Sequence, residues 1–543
     1  MKKQNMVRFV LFYSMTIVHA GSFVTLPSSN KISFLPIKKN IAQPIKSCKS
    51  SPLYTASMPE SIIKEESSKE SEETTPSVPY SKALCTMVGG KDTTNDESMM
   101  QHFFQSLWQK TPKVYRDTCD TNNTNALHDQ VSMGLNGIIA LLEQGCQALK
   151  EPNNPNWRTK LPMIFDIHKQ PIPISQIPTK YNNDLFQAYM EGCSIVLNHC
   201  DELCPHTAAL CEDLQQSFPF AYANAYLTPP SSQAVSAHAD DRDVFVIQVY
   251  GTKSWKVYEH VPIQYPYSHE QVGKNNLDVP SHVLQGPCSI QTTLEPGDVL
   301  YIPRGHVHEA FTYSNIHQTL QPSFHITIAL ATFDWTFTGV LNTMIQNILD
   351  SNPHYRKALP LDLGSTQELS SLRVQQFNQQ LEQTFVHLQN TIQTQNIHEF
   401  LQQKYSWHQN QSKSIRQTRI LEHQQQQLQQ QQLTIPPTFQ TGNSAIRHLT
   451  WLSKIRSCTD QEKSIDSMNA LKYDYRESTK SLFQSLEEHI LIHNPKQVFT
   501  LTELKSYLSL ISNDTNNGMI CDLTLYSFIR SYIQQGKIGI VHE

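Results

Sequence analysis

Two motifs constrain this chain more than any other feature: His238-Ala239-Asp240, and the run Pro296-Gly297-Asp298-Val299-Leu300-Tyr301-Ile302-Pro303-Arg304-Gly305-His306-Val307-His308. The segments around them read as strands. Residues 245–250 form a mostly apolar run, as expected of a strand buried on both faces. Gly251-Thr252 then turns the chain into 255–258, and Pro296-Gly297-Asp298 turns it into 299–302. Residues 222–227 form a short run broken by Pro229-Pro230, and 325–331 form another. Short strands at this density, punctuated by turn residues, predict an antiparallel sandwich or barrel.

On a strand, residues i and i+2 point to one face, so His238 and Asp240 aim an imidazole and a carboxylate at the same point. A second histidine from a neighbouring strand completes a two-histidine, one-carboxylate set. Such a set leaves coordination positions open and suits non-haem Fe(II), whereas structural zinc sites are closed. His306 and His308 share a face by the same rule, so periodicity does not choose between them. Lys253, on the strand leaving the Gly251 turn, could offer a cation to an acidic co-substrate.

The remainder of the chain sets the context. Its 543 residues suffice for two or three domains, and a net charge of −5 gives no global signal for nucleic acid or membrane binding. The 11 cysteines include no C-x-x-C pair; Cys200, Cys204 and Cys211 read as buried thiols rather than a zinc cage. Residues 1–59 carry eight Lys or Arg and no acid. The apolar run 9–18 is too short for a membrane span, so residues 1–20 read as a signal-peptide-like leader. Residues 21–97 read as a basic, transit-like segment followed by an acidic disordered linker. Together they predict import into a plastid or the secretory system. Helices are expected over 98–112, 131–149, 184–199 and 203–218. After residue 340 a helical region runs to 405, with a Ser365/Glu368 capping box and an apolar stripe (Leu372, Leu381, Phe385) suited to a bundle or a dimer interface. Residues 406–440 hold two runs of four glutamines and read as a disordered or loosely helical insertion. Residues 441–543 end in helix, helix and short strand, the pattern of a winged helix. Its second helix carries only Arg530, too little for a phosphate-binding face, which predicts a packing or protein-contact role.

The spacing Gly297-x5-Pro303-x-Gly305-x2-His308 matches the second metal motif of cupins and selects His308 over His306. At His238 to Gln248, Pro296 to His308, Ala223 to Gln233 and Phe103 to Pro112 the chain resembles the JmjC-domain 2-oxoglutarate oxygenases, in particular the ribosomal oxygenases of the cupin-4 group. The resemblance covers about 98–400 and the last fifty residues. It implies a mainly β, double-stranded β-helix core over 98–340 with flanking helices, a helical dimerisation region at 341–405 and a C-terminal winged helix. It implies Fe(II) on His238, Asp240 and His308, with 2-oxoglutarate and O2 as co-substrates. Lys253 would meet the distal carboxylate of 2-oxoglutarate, and Asn224, Tyr226, Ser323 and His325 would line the same pocket. The implied activity is hydroxylation of a protein side chain, a ribosomal-protein histidine first. The alternatives are demethylation of histone N-methyl-lysine and a non-catalytic scaffold. The implied partners are the substrate protein and a second copy of the chain. The resemblance points to the nucleus or nucleolus, against the leader.

Overall fold

Ten short strands build two antiparallel sheets between residues 113 and 330: β1 (Lys113–Tyr115), β2 (Met163–Phe165), β3 (Ser194–Leu197), β4 (Ala221–Thr228), β5 (Val244–Tyr250), β6 (Lys253–Tyr258), β7 (Cys288–Leu294), β8 (Val299–Ile302), β9 (His308–Phe311) and β10 (Ser323–Leu330). The larger sheet has the order β1-β8-β5-β10-β4-β3-β2 and the smaller β7-β6-β9. The structure, a computed structural model, describes residues 80–89, 96–116, 134–152, 161–274, 276–312, 321–330, 335–353, 355–356, 358, 371–394, 397–432, 439–440, 445, 449–450, 452–459, 477–515 and 521–541. The leader, the acidic stretch before residue 80 and the Ser365/Glu368 cap lie outside them.

β5 explains its own apolar run. It lies between β8 and β10, and its alternate side chains enter two different cores. Phe245 and Ile247 join Phe103, Tyr301 and the helices on one side. Val244 and Val246 meet Trp255, Val257 and Leu294 of the smaller sheet on the other. Each such side chain contributes about 1.5–3 kcal/mol on burial, so a polar residue at either parity would be costly. The second core is the inside of the sandwich, and one end of it holds the site.

Several local expectations change in the folded chain. The helix expected over 184–199 ends early: Leu185–Met190 is helical, Gly192 turns at φ 89, and β3 follows, buried at every position. Ile195 and Val196 gain two strand partners, β2 and β4, which outweigh a helical period that stops at the glycine. The second expected helix narrows to Pro205–Leu214, with Pro205 in its first turn. The opening helix, Asp96–His102, passes into a π-helical turn over Phe103–Leu107. Order also begins before residue 98: Ser81 caps a helix at Lys82–Met87 and donates to Asp213 at 2.5 Å, and Leu84 and Met87 are buried.

Of the two readings of the glutamine tract, disordered or loosely helical, the chain takes the helical one. The tract ends one helix, Ile397–Gln432. That helix is pinned by Arg416, 1% exposed, which donates to Asp201 at 2.8 Å, to Gln215 at 2.6 Å and to the Ala221 carbonyl. A long-range ion pair of this kind leaves no trace in local composition. Cys200, Cys204 and Cys211 are buried and form no disulfide, and burial pushes the Cys200 and Cys211 thiols well up.

The C-terminal residues form a four-stranded antiparallel sheet from β11 (Phe439–Gln440), β12 (Lys454–Ser457), β13 (Phe499–Thr500) and β14 (Ile538–Val541), in the order β11-β14-β12-β13. Helices Glu477–Glu487, Leu501–Thr515 and Asp522–Gln534 accompany it. The last is buried along most of its length, and Tyr189 hydrogen-bonds Thr524 at 2.8 Å. Arg530 faces inward, paired with Asp184 and with Glu143 at 2.9 Å. Among the described residues, no helix is long and apolar enough to cross a membrane.

Candidate metal centre

His238 precedes β5 and His308 opens β9, yet their backbones form an isolated antiparallel bridge. His238 N–H donates to the His308 carbonyl at 3.1 Å, and His308 N–H returns the bond at 2.9 Å. This closed pair brings the imidazoles to a ring separation of 4.5 Å. Asp240 is fixed by its carbonyl, which accepts from Gly305 N–H at 2.9 Å. Gly305 has φ 87, and a Cβ there would sit 2.7 Å from the Ile263 carbonyl, so the glycine of the second motif serves the first.

The donor atoms converge. His238 Nε2 lies 3.8 Å from Asp240 Oδ1, and His308 Nε2 lies 3.6 Å from Asp240 Oδ2. Three donors about 2.1 Å from a common ion stand roughly 3 Å apart at right angles and at most about 4.2 Å apart when opposed. These two spacings, each to a different Asp240 oxygen, fall in that window, and one donor atom from each of the three residues lies within 4.8 Å of the others. Among the described residues, these three are the group of His, Cys, Asp and Glu that could hold a metal.

Protonation also fits. His238 Nδ1 is 2.7 Å from the Ser236 carbonyl, and His308 Nδ1 is 3.0 Å from the His306 carbonyl. Each ring therefore carries its proton on Nδ1 and presents bare Nε2. Burial lowers the pKa of both rings. Burial opposes ionisation of Asp240, but Lys274 and the two imidazoles hold its carboxyl well below the usual range. At neutral pH the set is two neutral imidazoles and one carboxylate, the state a divalent ion requires. His306 is not part of it: its contribution is a main-chain carbonyl.

The donors share a cavity of about 460 Å³, its open mouth included, with Lys253, Tyr226, Trp255 and His325. Lys253 is 3% exposed, and Nζ donates to Thr228 Oγ1 at 2.8 Å. Burial brings its pKa down to about 7, and among the described residues no carboxylate pairs with it. A buried ammonium without a counter-charge is costly, and an anion in the cavity would restore its charge. Tyr226 and His325, directly opposite on β4 and β10, stack at 4.8 Å, and Trp255 meets His325 edge-on at 5.4 Å. His325 Nδ1 and Trp255 Nε1 are buried without a hydrogen-bond partner. The cavity thus offers a cation and two unused ring nitrogens to a polar ligand beside the metal donors.

Two of the expected pocket residues are engaged by protein partners. Asn224 Oδ1 accepts from His199 N–H at 3.0 Å, and Ser323, fully buried, accepts from Gln248 at 2.9 Å. Neither lines the cavity. Thr228 and Thr327 serve the site instead, each two residues beyond an expected position on the same strand face, so period two could have found them. Lys274, which donates to Asp240 Oδ1 at 2.5 Å, comes from the 259–287 connection and had no sequence signal.

Fold and donor set together define a cupin-type antiparallel domain built around a two-histidine, one-carboxylate metal centre. Residues 201–332 match the JmjC domain. Ribosomal oxygenase 1 of Bos taurus is 36% identical over 186 residues, which are 32% of this chain and 25% of that protein. The bifunctional lysine-specific demethylase and histidyl-hydroxylase NO66 of Branchiostoma floridae is 27% identical over 277 residues, 48% of this chain and 36% of that protein. The chain spans about a quarter of the length of the first of these relatives. Among solved structures, the ribosomal oxygenase YcfD from Escherichia coli in complex with cobalt and 2-oxoglutarate covers 81% of this chain and 98% of its own, at 13% identity and a TM-score of 0.35.

Proposed function

We propose that this chain is an Fe(II)- and 2-oxoglutarate-dependent dioxygenase that hydroxylates a protein side chain, a histidine of a ribosomal protein first among candidates. The observation that carries the reading is the pairing, in one cavity, of the His238, Asp240 and His308 donors with the buried, carboxylate-free Lys253. A metal-binding scaffold has no need of the second feature. The names of the relatives support the substrate class.

His238, Asp240 and His308 would hold the iron, which with 2-oxoglutarate and O2 supplies hydroxylation: one oxygen atom goes to the substrate carbon, the other to succinate, and CO2 is released. The chain's own residues orient and shield. The Ser236 and His306 carbonyls lock the two imidazoles with Nε2 forward. Three protein donors leave positions for a co-substrate. Lys253 would bind the distal carboxylate of 2-oxoglutarate at the closed end, with Thr228 fixing its ammonium. The Tyr226–His325 stack and Trp255 would wall the same cavity. Lys253→Met is expected to raise the KM for 2-oxoglutarate by about 30-fold or more, the lower end for removing one partner of a buried charge pair, while metal affinity stays unchanged. Steady-state turnover and a metal titration measure both.

Mass spectrometry of ribosomal proteins and histones, from cells with and without the chain, tests the substrate. Hydroxylation adds one oxygen to a ribosomal protein. The second reading, N-methyl-lysine demethylation, draws on the relatives named as bifunctional and predicts loss of histone methyl groups instead.

We read the helix Ser371–Thr394 as a homodimer interface. Leu381 and Phe385, one turn apart on it, are 41% and 63% exposed, an apolar pair a single copy leaves in water. Phe385→Glu with Leu381→Glu is expected to leave a monomer by light scattering. The C-terminal sheet and helices fit a winged helix used for packing, since Arg530 is turned inward. The basic leader supports import into a plastid or the secretory system, against a nuclear location for a ribosomal oxygenase. Imaging of the full chain, leader intact, decides.

A further inference from the structure

The connection between β6 and β7 delivers a lysine to the metal donors, and the placement is built by backbone. Ala239 N–H, between the two ligands of the first motif, donates to the Val272 carbonyl at 2.9 Å. Gly273 follows at φ +79, where a Cβ would lie 2.3 Å from the Ala237 carbonyl and 2.8 Å from His238 Cβ. No other residue lets the connection press so closely on the ligand strand. The turn closes through Gly273 N–H to the Leu277 carbonyl at 2.6 Å and Leu277 N–H to the Lys274 carbonyl at 2.9 Å. Lys274 Nζ then reaches Asp240 Oδ1 at 2.5 Å and Gln271 Oε1 at 3.2 Å, and Gln271 is itself held on the Ser268 carbonyl.

The main chain here does not depend on this ammonium, which acts on the carboxylate alone. Asp240 is already fixed through its carbonyl by Gly305, and the connection is already tied to the ligand strand at Val272. What Lys274 adds is positive charge against a carboxylate that a divalent ion must share. A metal bound alone meets Lys274 and the partly charged Lys253 against the Asp240 carboxylate, because the other carboxylate lining the cavity, Glu309, is already paired with Lys256 at 3.2 Å. Lys274 Nζ, 2.5 Å from Asp240 Oδ1, repels a cation on that carboxylate, and like charges so close are costly in a partly buried site. A dicarboxylate co-substrate cancels that excess.

We propose that Lys274 couples metal binding to co-substrate binding: it weakens the hold on a divalent cation alone and favours the cation together with a dicarboxylate. The inference rests on the oxygenase reading above and has Lys274 act on the metal through the charge it places against Asp240. By linkage, whatever makes the metal depend on the dicarboxylate makes the dicarboxylate depend equally on the metal.

The test titrates Mn(II) into the full chain without oxygen, with and without saturating 2-oxoglutarate, for wild type, Lys274→Met, Lys274→Arg and Asp240→Ala. Lys274→Met is expected to bind Mn(II) alone about tenfold more tightly than wild type, and the tightening produced by 2-oxoglutarate is expected to shrink by a similar factor. Lys274→Arg keeps the charge and is expected to behave as wild type. If Lys274→Met binds Mn(II) equally or more weakly, Lys274 only orients Asp240 and the proposal is overturned, while wild-type binding that Asp240→Ala abolishes leaves the oxygenase reading standing. If wild type binds no Mn(II), or Asp240→Ala binds it as well, the metal reading fails and takes this proposal with it.

Discussion

Asp240→Ala is expected to abolish metal binding and with it all 2-oxoglutarate turnover, without loss of the fold. The carboxylate is the sole negative charge among the three donors, and its removal leaves two neutral imidazoles beside Lys274. Loss of a partner that merely supports a ligand costs about 10–100-fold in affinity or activity, so loss of the ligand itself exceeds that range. The fold is preserved because Asp240 is tied to Gly305 through its main-chain carbonyl, which alanine keeps. A Mn(II) titration, an assay for succinate and a thermal melt read the three quantities. The histidines sharpen the same prediction. His308→Ala removes Nε2 and is expected to match Asp240→Ala. His306→Ala keeps the carbonyl that accepts from His308 Nδ1, so it is expected to retain metal binding. The opposite result for this pair would reassign the third ligand.

Arg530→Leu carries the largest expected effect on stability. Its guanidinium is 4% exposed and pairs with Asp184, which is 4% exposed and also caps the helix Leu185–Met190 by accepting from Phe186 N–H at 2.9 Å. Removing one member of a buried pair strands the other, at a cost of about 3–5 kcal/mol. Only Gln534 and the capping amides would remain to Asp184. The effect depends on pH in a definite direction. Burial raises the Asp184 pKa, but Arg530 and Gln534 outweigh it and hold the carboxyl below its ordinary value. In the native protein this pairing therefore stabilises above the ordinary carboxylate pKa, and the gain is lost as pH falls through the lower folded value. In Arg530→Leu burial is left in control, the folded pKa rises, and stability grows as pH falls toward the carboxylate range. Urea unfolding at neutral pH and near pH 4 should show the gap between the two proteins narrowing on acidification. A constant gap would mean that Asp184 is not the residue stranded.

The metal motif was legible because its signals are local. Period two puts His238 and Asp240 on one face, and the Gly297 to His308 spacing distinguishes His308 from His306. The apolar run of β5 announced a strand buried on both faces, and it divides its side chains between two cores. Lys253 was legible for the same reason, as a strand residue at a fixed distance from a glycine turn.

The parts that were not legible depend on contacts between distant segments. The 184–199 segment carries a helical period, yet its second half becomes β3 because β2 and β4 offer it partners. The glutamine tract has the composition of a linker, yet it ends a helix pinned by a single buried arginine. Asn224 and Ser323 sit on the expected strands, where Asn224 Oδ1 accepts from His199 N–H and Ser323 from Gln248, partners that no strand period announces. Lys274 belongs to an irregular connection with no period to read, and only the fold sets it on Asp240. The sequence by itself determined the donor set and the strands that present it, because side-chain direction repeats every two residues along a strand. Tertiary structure alone decided which charges surround those donors, because electrostatic partners are chosen by distance in space, which chain separation does not encode.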